Sequence, residues 1–327
     1  MAQDRAVLYG KGDVLVYRTY AAPLKGITPI PESSYTGDDN VIFAWNLKVV
    51  FGGEAFLTSF TEGDNSQIVA TDSMKNFILR HAADYPGATI EGFLHHLADL
   101  FLNRYSHLSS IELSAERLPF QGVEVPGPSG RMPSSIVFSH SRGEAATAEV
   151  KAARGGDGSL LIERLSGGIS KLHLIKVKGS SFAGFVRDEY TTLPEAYDRP
   201  LFIYLNISWT YTDVKHGLGG DPQCYIPAEQ IRDVAVAVFH ELYSPSIQHL
   251  LYRIGQRALK RFPQMATIQF ESNNRTWETV IDDIPGEQGK VFTEPRPPYG
   301  FQLFTMIRSD ADEHGEIDDT RTRLVTG

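Results

Sequence analysis

Two stretches of the chain, TIEGFLHHLADLFLNRYSHLSSIEL at residues 89–113 and SIQHLLYRIGQRALKRFPQMATIQF at residues 246–270, align without a gap. Five aligned positions are identical, and the pattern of apolar and polar positions agrees more widely than the identities. Each stretch has a Thr or Ser suited to cap a helix, then an amphipathic helix, an Arg–aromatic pair and a β-branched strand start. A helix, loop and strand shared at an offset of 157 residues indicate an internal duplication.

The apolar positions of both helices fall on one stripe, which predicts that each helix packs through that face. The stripes consist of Ile90, Phe93, Leu94, Leu97 and Phe101 in the first helix, and of Ile247, Leu250, Leu251, Ile254 and Ala258 in the second.

The segments around the two helices repeat the same order of predicted elements. In the first half we predict strands within 6–20 and 38–63, the latter with a Gly52-Gly53 turn, helices over 73–84 and 89–105, and strands over 109–118 and 135–153. In the second half we predict strands within 160–179 and 200–213, helices within 228–243 and 246–261, and strands over 266–281 and 299–308. The sequence therefore predicts an α+β fold of two β-β-α-α-β-β repeats with antiparallel pairing.

Four strands per half cannot close a barrel, so the sheets should present open edges that oligomerisation covers. We place the first repeat at residues 7–140 and the second at 141–308. The Pro/Gly/Ser-rich segment 125–135 is predicted as a turn or linker. Residues 309–327 are acidic and are predicted to form a mobile, solvated tail.

Composition excludes several classes of function. The formal net charge is −9, which argues against a nucleic-acid surface rich in Lys and Arg. A single cysteine, Cys224, cannot form an intrachain disulfide, and no apolar run approaches the ~20 residues that span a bilayer. The N-terminus lacks the layout of a signal peptide, and the C-terminus lacks an SKL-type peroxisomal signal. The sequence predicts a soluble cytoplasmic protein that binds neither nucleic acid nor membrane.

The common cofactor and metal motifs are missing from the sequence. It contains no GxGxxG after a strand, no GxxxxGK[ST], no HExxH and no GxSxG elbow. His95 and His96 are adjacent on a helix and cannot share a metal ion, and Cys224 has no companion. We therefore expect chemistry without a metal or a tightly held cofactor.

The segment VATDSMKN, residues 69–76, crowds polar residues at the start of a predicted helix. Ser, Thr and Asp at such a junction normally accept hydrogen bonds from the first free helix N–H groups. One cap would suffice, so Thr71, Asp72 and Ser73 cannot all be caps. At least one of them is expected to have another role.

Several motifs together resemble the urate oxidase (uricase) family from about residue 7 to residue 308. They are Lys11 in YGKGDV, Thr71-Asp72 in VATDSMKN, Phe182 and Arg199 in SSFAGFVRDEYTTLPEAYDR, Ile247-Gln248 in YSPSIQHLLY, and Asn274 in NNRTW. The resemblance implies the tunnelling fold, or T-fold, with two β-β-α-α-β-β units in each chain. It also implies a homotetramer with active sites at subunit boundaries, assembled as a barrel or tunnel, and the cofactor-free oxidation of urate by O2 and water to 5-hydroxyisourate and hydrogen peroxide.

The resemblance assigns a substrate-binding role to Thr71 and to six further positions. Arg199 would present a planar fork of donors to the anionic purine, and Gln248 would read its urea-like edge. Phe182 would stack on the purine, and Asn274 would help to hold O2 above the ring. The backbone N–H groups of Asp72 and Ile247 would also contact the substrate. Taken alone, Arg199 is more typical of a surface ion pair, and Phe182 is more typical of core packing.

The resemblance also implies a proton relay in which neutral Lys11 takes the proton of Thr71, and Thr71 takes one from urate. Lysine is charged at neutral pH unless it is desolvated, so the relay requires a dry site. Ser73 would then be left to cap the helix. Many family members have a His two residues after the Asn, where this chain has Thr276. A threonine passes a hydrogen bond but does not titrate near neutral pH, which leaves the third relay group open.

Two questions remain open at the level of sequence. Lys11, Thr71 and Asp72 belong to the first repeat and the other site residues to the second, so the site forms either within one chain or between chains. The resemblance implies the second route. Alternative functions are a catalytically weak purine-binding oligomer, or another T-fold enzyme of purines or pterins.

Overall fold

The structure, a computed structural model, describes residues 6–140, 143–287 and 289–311, and of Thr276 it describes the backbone alone. Within these residues the helices are α1 (Leu57–Thr61), α2 (Thr71–Asp84), α3 (Ile90–Arg104), α4 (Val214–Gly217), α5 (Ala228–Glu241) and α6 (Ile247–Arg261). The strands are β1 (Leu8–Thr19), β2 (Leu24–Lys25), β3 (Gly37–Asp38), β4 (Ile42–Gly52), β5 (Ser110–Arg117), β6 (Phe120–Gly127), β7 (Gly130–His140), β8 (Ala145–Arg154), β9 (Leu160–Lys176), β10 (Leu201–Tyr211), β11 (Met265–Thr276), β12 (Thr279–Ile281), β13 (Val291–Phe292) and β14 (Arg296–Ile307). Short 3₁₀ turns span Glu54–Phe56 and Arg308–Ala311.

The main sheet joins both halves of the chain. Its strands run antiparallel in the order β1-β4-β5-β8-β9-β10-β11-β14. The first four enclose α2 and α3 in sequence, and the last four enclose α5 and α6. The predicted β-β-α-α-β-β order is thus confirmed in both halves, and so is the α+β class. Strands β1 and β14 form the two outer edges of this sheet.

The helices cover one face of the sheet because each brings an apolar stripe to it. In α3, Leu94 and Leu97 are fully buried, as are Leu251 and Ile254 in α6. Burial of each such side chain contributes roughly 1.5–3 kcal/mol. Both predicted stripes are therefore confirmed as core. No helix within the described ranges is long and apolar enough to cross a membrane.

The opposite face of the sheet is polar and open. A cavity of about 510 Å³ lies there, and its lining includes Asn46, Lys48, Glu116, Glu149 and Arg164. Its described lining contains none of the residues predicted for the site. The described residues predicted for the site therefore do not line this cavity.

In each half, an arginine donates hydrogen bonds to carbonyl groups at the C-terminal end of the second helix. Arg154 Nη2 donates to the carbonyl oxygen of Leu102 near the end of α3 (2.5 Å). Arg308 Nη2 donates to the carbonyl oxygen of Leu259 in α6 (2.5 Å). Leu259 stands 157 positions after Leu102, so it is the matching residue of the second repeat. A cation at this position satisfies carbonyl groups that lack partners within the helix and complements the helix dipole.

In each half, a basic residue of the first strand donates hydrogen bonds to carbonyl groups at the C-terminal end of the first helix. Arg18 Nη1 donates to the carbonyl oxygen of Ala82 in α2 (2.8 Å). Lys176 Nζ donates to that of Phe239 in α5 (2.9 Å), again 157 positions after its counterpart. The duplication thus extends to side-chain hydrogen bonds, which residue identities do not reveal.

Two segments that we predicted as strand or linker are different in the structure. The segment after Gly53 forms a 3₁₀ turn and α1 instead of a strand, since Phe56 is fully buried and anchors the turn against the core. Of the turn or linker predicted for 125–135, the turn is confirmed at 128–129, and the linker is wrong because most of the segment pairs in the β6–β7 hairpin. The single strand predicted over 135–153 is two strands, β7 and β8.

The division of the chain into domains remains a prediction. By strand order the sheet divides equally between β8 and β9, beyond the predicted boundary after residue 140. Of the predicted C-terminal tail, residues up to 311 are described, and Ala311 is buried within the 3₁₀ turn. Residues 312–327 lie outside the described residues, and so does the prediction made for them.

Candidate active site

Lys11 lies on β1 and faces the helix layer. It pairs with Val49 of β4, which is fully buried, and residues directly opposite each other in an antiparallel pair point to the same side. The pairing register shifts between Lys11 and Val14, which marks a β-bulge. Bulges re-aim side chains and are common beside active sites. Because of this bulge, both Lys11 and Val14 face the helices.

The start of α2 lies close to Lys11. The helix begins at Thr71 and its N-cap is Ala70, which makes no side-chain capping bond within the described structure. The prediction that Ser73 caps the helix is therefore wrong, because Ser73 already lies inside the first turn. Thr71, Asp72 and Ser73 instead provide the first-turn backbone N–H groups, which lack acceptors within the helix and form an anion-binding end.

The side chain of Asp72 is engaged on its own helix. It accepts hydrogen bonds from Lys75 Nζ (2.7 Å) and Asn76 Nδ2 (2.9 Å). The hydrogen bond and charge of Lys75 lower the pKa of Asp72, and the charge of Lys11 acts in the same direction. The positive charge of Lys11 thus acts on the first turn of α2. We call Lys11, Thr71 and Asp72 the first half-site.

Phe182 and Arg199 meet in the long loop between β9 and β10. Phe182 exchanges two backbone hydrogen bonds with Ala196 (2.7 and 3.0 Å), and Arg199 N–H donates to the Ser180 carbonyl (2.9 Å). The guanidinium of Arg199 lies 5.5 Å from the centroid of the Phe182 ring. Desolvation lowers the pKa of Arg199, and its buried Nε–H finds no acceptor within the described residues. This arrangement leaves a donor beside an aromatic face.

The same loop holds the start of α6. Ser244 N–H donates to Gly179 (3.0 Å), and its carbonyl accepts from Ser181 N–H (2.9 Å). Two residues later Ser246 caps α6 by accepting from His249 N–H (3.1 Å). The first two residues of α6 are Ile247, which is buried, and Gln248, which is exposed.

Asn274 lies near the end of β11 on the helix-covered side. It pairs with Ile203 of β10, which is fully buried, and follows Ser272 in the alternating row that faces the core. We call Phe182, Arg199, Ile247, Gln248 and Asn274 the second half-site. Thr276 pairs through its backbone with Arg296, and its side chain lies outside the described part of the structure.

The fold keeps the two half-sites apart within one chain. Strand β1 is at one edge of the sheet, and β11 is next to the other edge, six strands away. At ~4.8 Å between neighbouring strands, this separation is roughly 30 Å along the sheet. One chain therefore holds both sets of residues without combining them.

A comparison with known families assigns the chain to one of them. The model of the Uricase family matches residues 7–151 and 165–302. The chain belongs to the uricase family.

Relatives in this family match nearly the whole chain. The uric acid degradation bifunctional protein of Bacillus sp. (strain TB-90) is 52% identical over 308 residues, which are 94% of this chain and 61% of the relative. The chain therefore spans about 61% of the length of that protein. The uricase of Halalkalicoccus jeotgali is 52% identical over 305 residues, 93% of this chain and 99% of the relative. A crystal structure of a uricase from Bacillus fastidious superposes with a TM-score of 0.91 at 52% identity, covering 94% of this chain and 96% of that one.

Inside this uricase-family chain, β8 and β9 form an intrachain junction between the repeats. There, Arg117 at the end of β5 pairs with Glu229 in the first turn of α5 (3.3 Å). Arg117 stands 157 positions before Asn274, and Glu229 stands 157 positions after Asp72. The junction thus brings counterparts of the two half-sites together.

The counterparts lack the chemistry of the half-sites. Thr71 corresponds to Ala228, and Gln248 corresponds to Glu91. Glu91 is buried and accepts from the Tyr225 hydroxyl (3.1 Å), instead of facing an open site. The cavity at the junction is only about 180 Å³ and is lined by charged residues, including Arg117 and Glu229.

Our sequence reasoning missed two residues that hold the half-sites in place. The hydroxyl of Ser180 donates to the Arg199 carbonyl, and Ser180 is almost fully buried. Tyr9 bonds the segment that leads into α2. The sequence contained a weak signal for both, because each lies within two residues of a motif position, Tyr9 beside Lys11 and Ser180 beside Phe182.

Proposed function

We propose that the protein is a cofactor-independent urate oxidase, which converts urate, O2 and water to 5-hydroxyisourate and hydrogen peroxide. The carrying observation is the second half-site, where the Phe182 ring, the Arg199 guanidinium and the start of α6 converge. This combination suits a planar anionic ligand, since the ring offers a stacking face and the guanidinium a fork of donors. Membership in the uricase family supports urate as this ligand.

The intrachain junction supports completion of the site by a second copy. It pairs the last strand of one repeat with the first strand of the next, β8 with β9. Pairing of β14 with β1 of another copy would repeat this contact, because these are the matching strands and both are edges. By the offset of 157, that contact brings Thr71 and Asp72 of one copy to Asn274 and Gln248 of the other. A homotetramer provides such contacts with closed symmetry.

In the completed site, the residues divide between binding and proton transfer. Arg199 and Gln248 bind the polar edge of urate, Phe182 stacks on the ring, and backbone N–H groups of Asp72 and Ile247 add donors. Asn274 holds O2 above the ring plane. Lys11 takes a proton through Thr71, which leaves urate as an electron-rich dianion.

The oxidation requires no group beyond substrate, oxygen and water. Two electrons and two protons pass from urate to O2, which forms hydrogen peroxide. Water then adds at C5 of the oxidised ring, so its oxygen becomes the 5-hydroxyl and both of its protons remain on the product. The cytoplasmic location inferred from the sequence stays a prediction.

The test is to follow the ultraviolet absorbance of urate and the uptake of O2 with purified, metal-stripped protein. We expect urate to decay under air with one O2 consumed and one hydrogen peroxide formed per urate. Binding of urate without decay would replace this proposal with the purine-binding oligomer. Decay that returns only after metal is added would overturn the cofactor-free mechanism.

A further inference from the structure

The hydroxyl of Tyr9 forms two hydrogen bonds to the segment that precedes α2. Its hydroxyl accepts from the backbone N–H of Val69 (2.8 Å) and donates to the Val69 carbonyl oxygen (3.3 Å). One side chain thus satisfies both backbone groups of a residue 60 positions away. Burial raises the pKa of the Tyr9 phenol, so the hydroxyl keeps the proton that it donates.

The ring of Tyr9 is fixed by packing. It meets Phe56 edge-on with centroids 4.8 Å apart and Phe51 edge-on at 6.1 Å, and both phenylalanines are fully buried. Because the ring is held on two sides, the position of its hydroxyl is determined by the core. The hydrogen bonds transmit that position to Val69.

Both ends of this contact lie beside the proposed relay. Tyr9 precedes Lys11 by two residues in β1, and both face the helix layer, opposite Phe51 and Val49. Val69 precedes Thr71 by two residues. At ~3.3 Å per strand residue, Lys11 is only about 7 Å along the strand from Tyr9. The tyrosine therefore connects the strand that carries Lys11 with the helix start that carries Thr71.

Other local restraints on the two residues are weak. The β-bulge begins directly after Lys11, so the regular pairing of β1 is interrupted there and resumes at Val14. The N-cap of α2 is Ala70, which forms no side-chain capping bond in the described structure. The Tyr9–Val69 contact does not replace a cap; it fixes the residue immediately before the N-cap and leaves the first-turn N–H groups of α2 without a side-chain acceptor in the described structure.

The second repeat provides a natural contrast. Asp13 and Lys171 mark the same bulge in the two repeats, since both have positive φ and stand 158 positions apart. At that offset, Tyr9 corresponds to Gly167, which has no side chain to form such a contact. The matching helix start has Ala228 in place of Thr71, so the repeat without the hydroxyl also lacks the tyrosine.

We propose that Tyr9 is a positioning residue that sets the distance between the Lys11 amine and the Thr71 hydroxyl. This inference rests on the proposed urate oxidase function. It predicts a specific kinetic effect, because the groups that bind urate belong mainly to the other half-site. Loss of the tyrosine hydroxyl should impair proton transfer and leave substrate binding intact.

The experiment compares Tyr9→Phe with Tyr85→Phe in the intact oligomer. Tyr85 is a matched control, since its buried hydroxyl donates to the Thr89 carbonyl (2.9 Å) at the start of α3, away from both half-sites. Both variants keep the ring and lose one hydroxyl, so both should lower the Tm. Only Tyr9→Phe should lower kcat, by about 10- to 100-fold with KM unchanged, as expected for misplaced reacting groups.

A double variant distinguishes positioning from a general loss of structure. If Tyr9 acts through Lys11, adding Tyr9→Phe to Lys11→Met should cause no further loss of kcat. Losses that multiply, a rise in KM, or equal kcat for Tyr9→Phe and wild type would overturn the proposal. Failure of the underlying function looks different, because wild-type protein would then not oxidise urate, or Lys11→Met would retain wild-type turnover.

Discussion

The two repeats share a backbone and differ at the starts of their helices. α2 begins with Thr71-Asp72-Ser73, whereas α5 begins with Ala228-Glu229-Gln230 at matching positions. The capping hydrogen bonds at the other helix start are the same in kind, since Thr89 accepts from Gly92 N–H and Ser246 accepts from His249 N–H. The duplicated scaffold therefore positions two helix ends, and side-chain chemistry decides what each end does.

The matching residues Glu91 and Gln248 show this difference most clearly. Glu91 is buried against Tyr225 at the intrachain junction, where burial raises its pKa to about 8. Gln248 is exposed in the first turn of α6. Glu91 is thus covered by residues of the same chain, whereas Gln248 is left exposed, as the proposed completion of the site by a second copy requires. This contrast explains why two repeats give one candidate site per chain.

The largest effect should follow from removing the base of the first half-site. Lys11→Met keeps the side-chain length and removes the amine, so kcat should fall by roughly 10²–10⁴-fold with little change in KM. Lys48→Met is the matched control, since Lys48 is an exposed lysine of β4 on the opposite face of the sheet. A Lys11→Met enzyme with the turnover of Lys48→Met would exclude the relay.

Exchanging the residue types of the matched positions Gln248 and Glu91 should give the next largest effect, on KM. Gln248→Glu introduces the residue of the first repeat into the second half-site, where a carboxylate would face an anionic substrate. The loss of a hydrogen bond to a charged partner, at about 1.5–3 kcal/mol, predicts a rise in KM of about 10- to 100-fold. The reverse exchange, Glu91→Gln, should leave KM unchanged. Equal effects of the two exchanges in steady-state kinetics would show that Gln248 does not contact the substrate.

Glu91→Gln should instead alter the pH dependence of stability. Because the folded-state pKa of Glu91 is raised from 4.5 to about 8, the folded chain retains a proton that the unfolded chain has released between these values. The free energy of unfolding should therefore fall as pH rises from 4.5 to about 8, by up to roughly 5 kcal/mol at about 1.4 kcal/mol per pH unit, and change little from this group above that range.

The variant Glu91→Gln cannot titrate, so its stability curve should be flatter over this window. Denaturant unfolding at several pH values measures the slope, and Glu124→Gln, on the exposed β6–β7 hairpin, serves as the control. If wild type and Glu91→Gln have parallel curves from pH 5 to pH 8, Glu91 is not a buried proton-binding group.

The smallest effect concerns the two matched caps. Thr89→Ala and Ser246→Ala should each reduce the free energy of unfolding by about 1 kcal/mol, because each removes one capping bond. Only Ser246→Ala should also raise KM, by a few-fold, since α6 carries Ile247 and Gln248. The same kinetic change in both variants would mean that the start of α6 has no special relation to the substrate.

Much of the fold was accessible from the sequence because it depends on local periodicity. The apolar stripes of α3 and α6 follow from residue spacing, and their burial is nearly complete. The residues after Gly53 were predicted incorrectly because the burial of Phe56 outweighs the alternation of the segment. The cap of α2 was misplaced for a similar reason, since helix ends depend on a few hydrogen bonds and not on a period.

The sequence by itself determined the duplication, the α+β class and the residue types of both half-sites, because side-chain chemistry and helical period are properties of short segments. Only the tertiary structure decided that Lys11 and Asn274 lie at opposite ends of one sheet, and that Arg117 and Glu229 close the junction between the repeats. Strand order and contacts across it depend on long-range pairing, which a local pattern does not encode. For this reason motifs in the sequence suggest the site residues through resemblance to a family, while the fold determines which of them one chain can bring together.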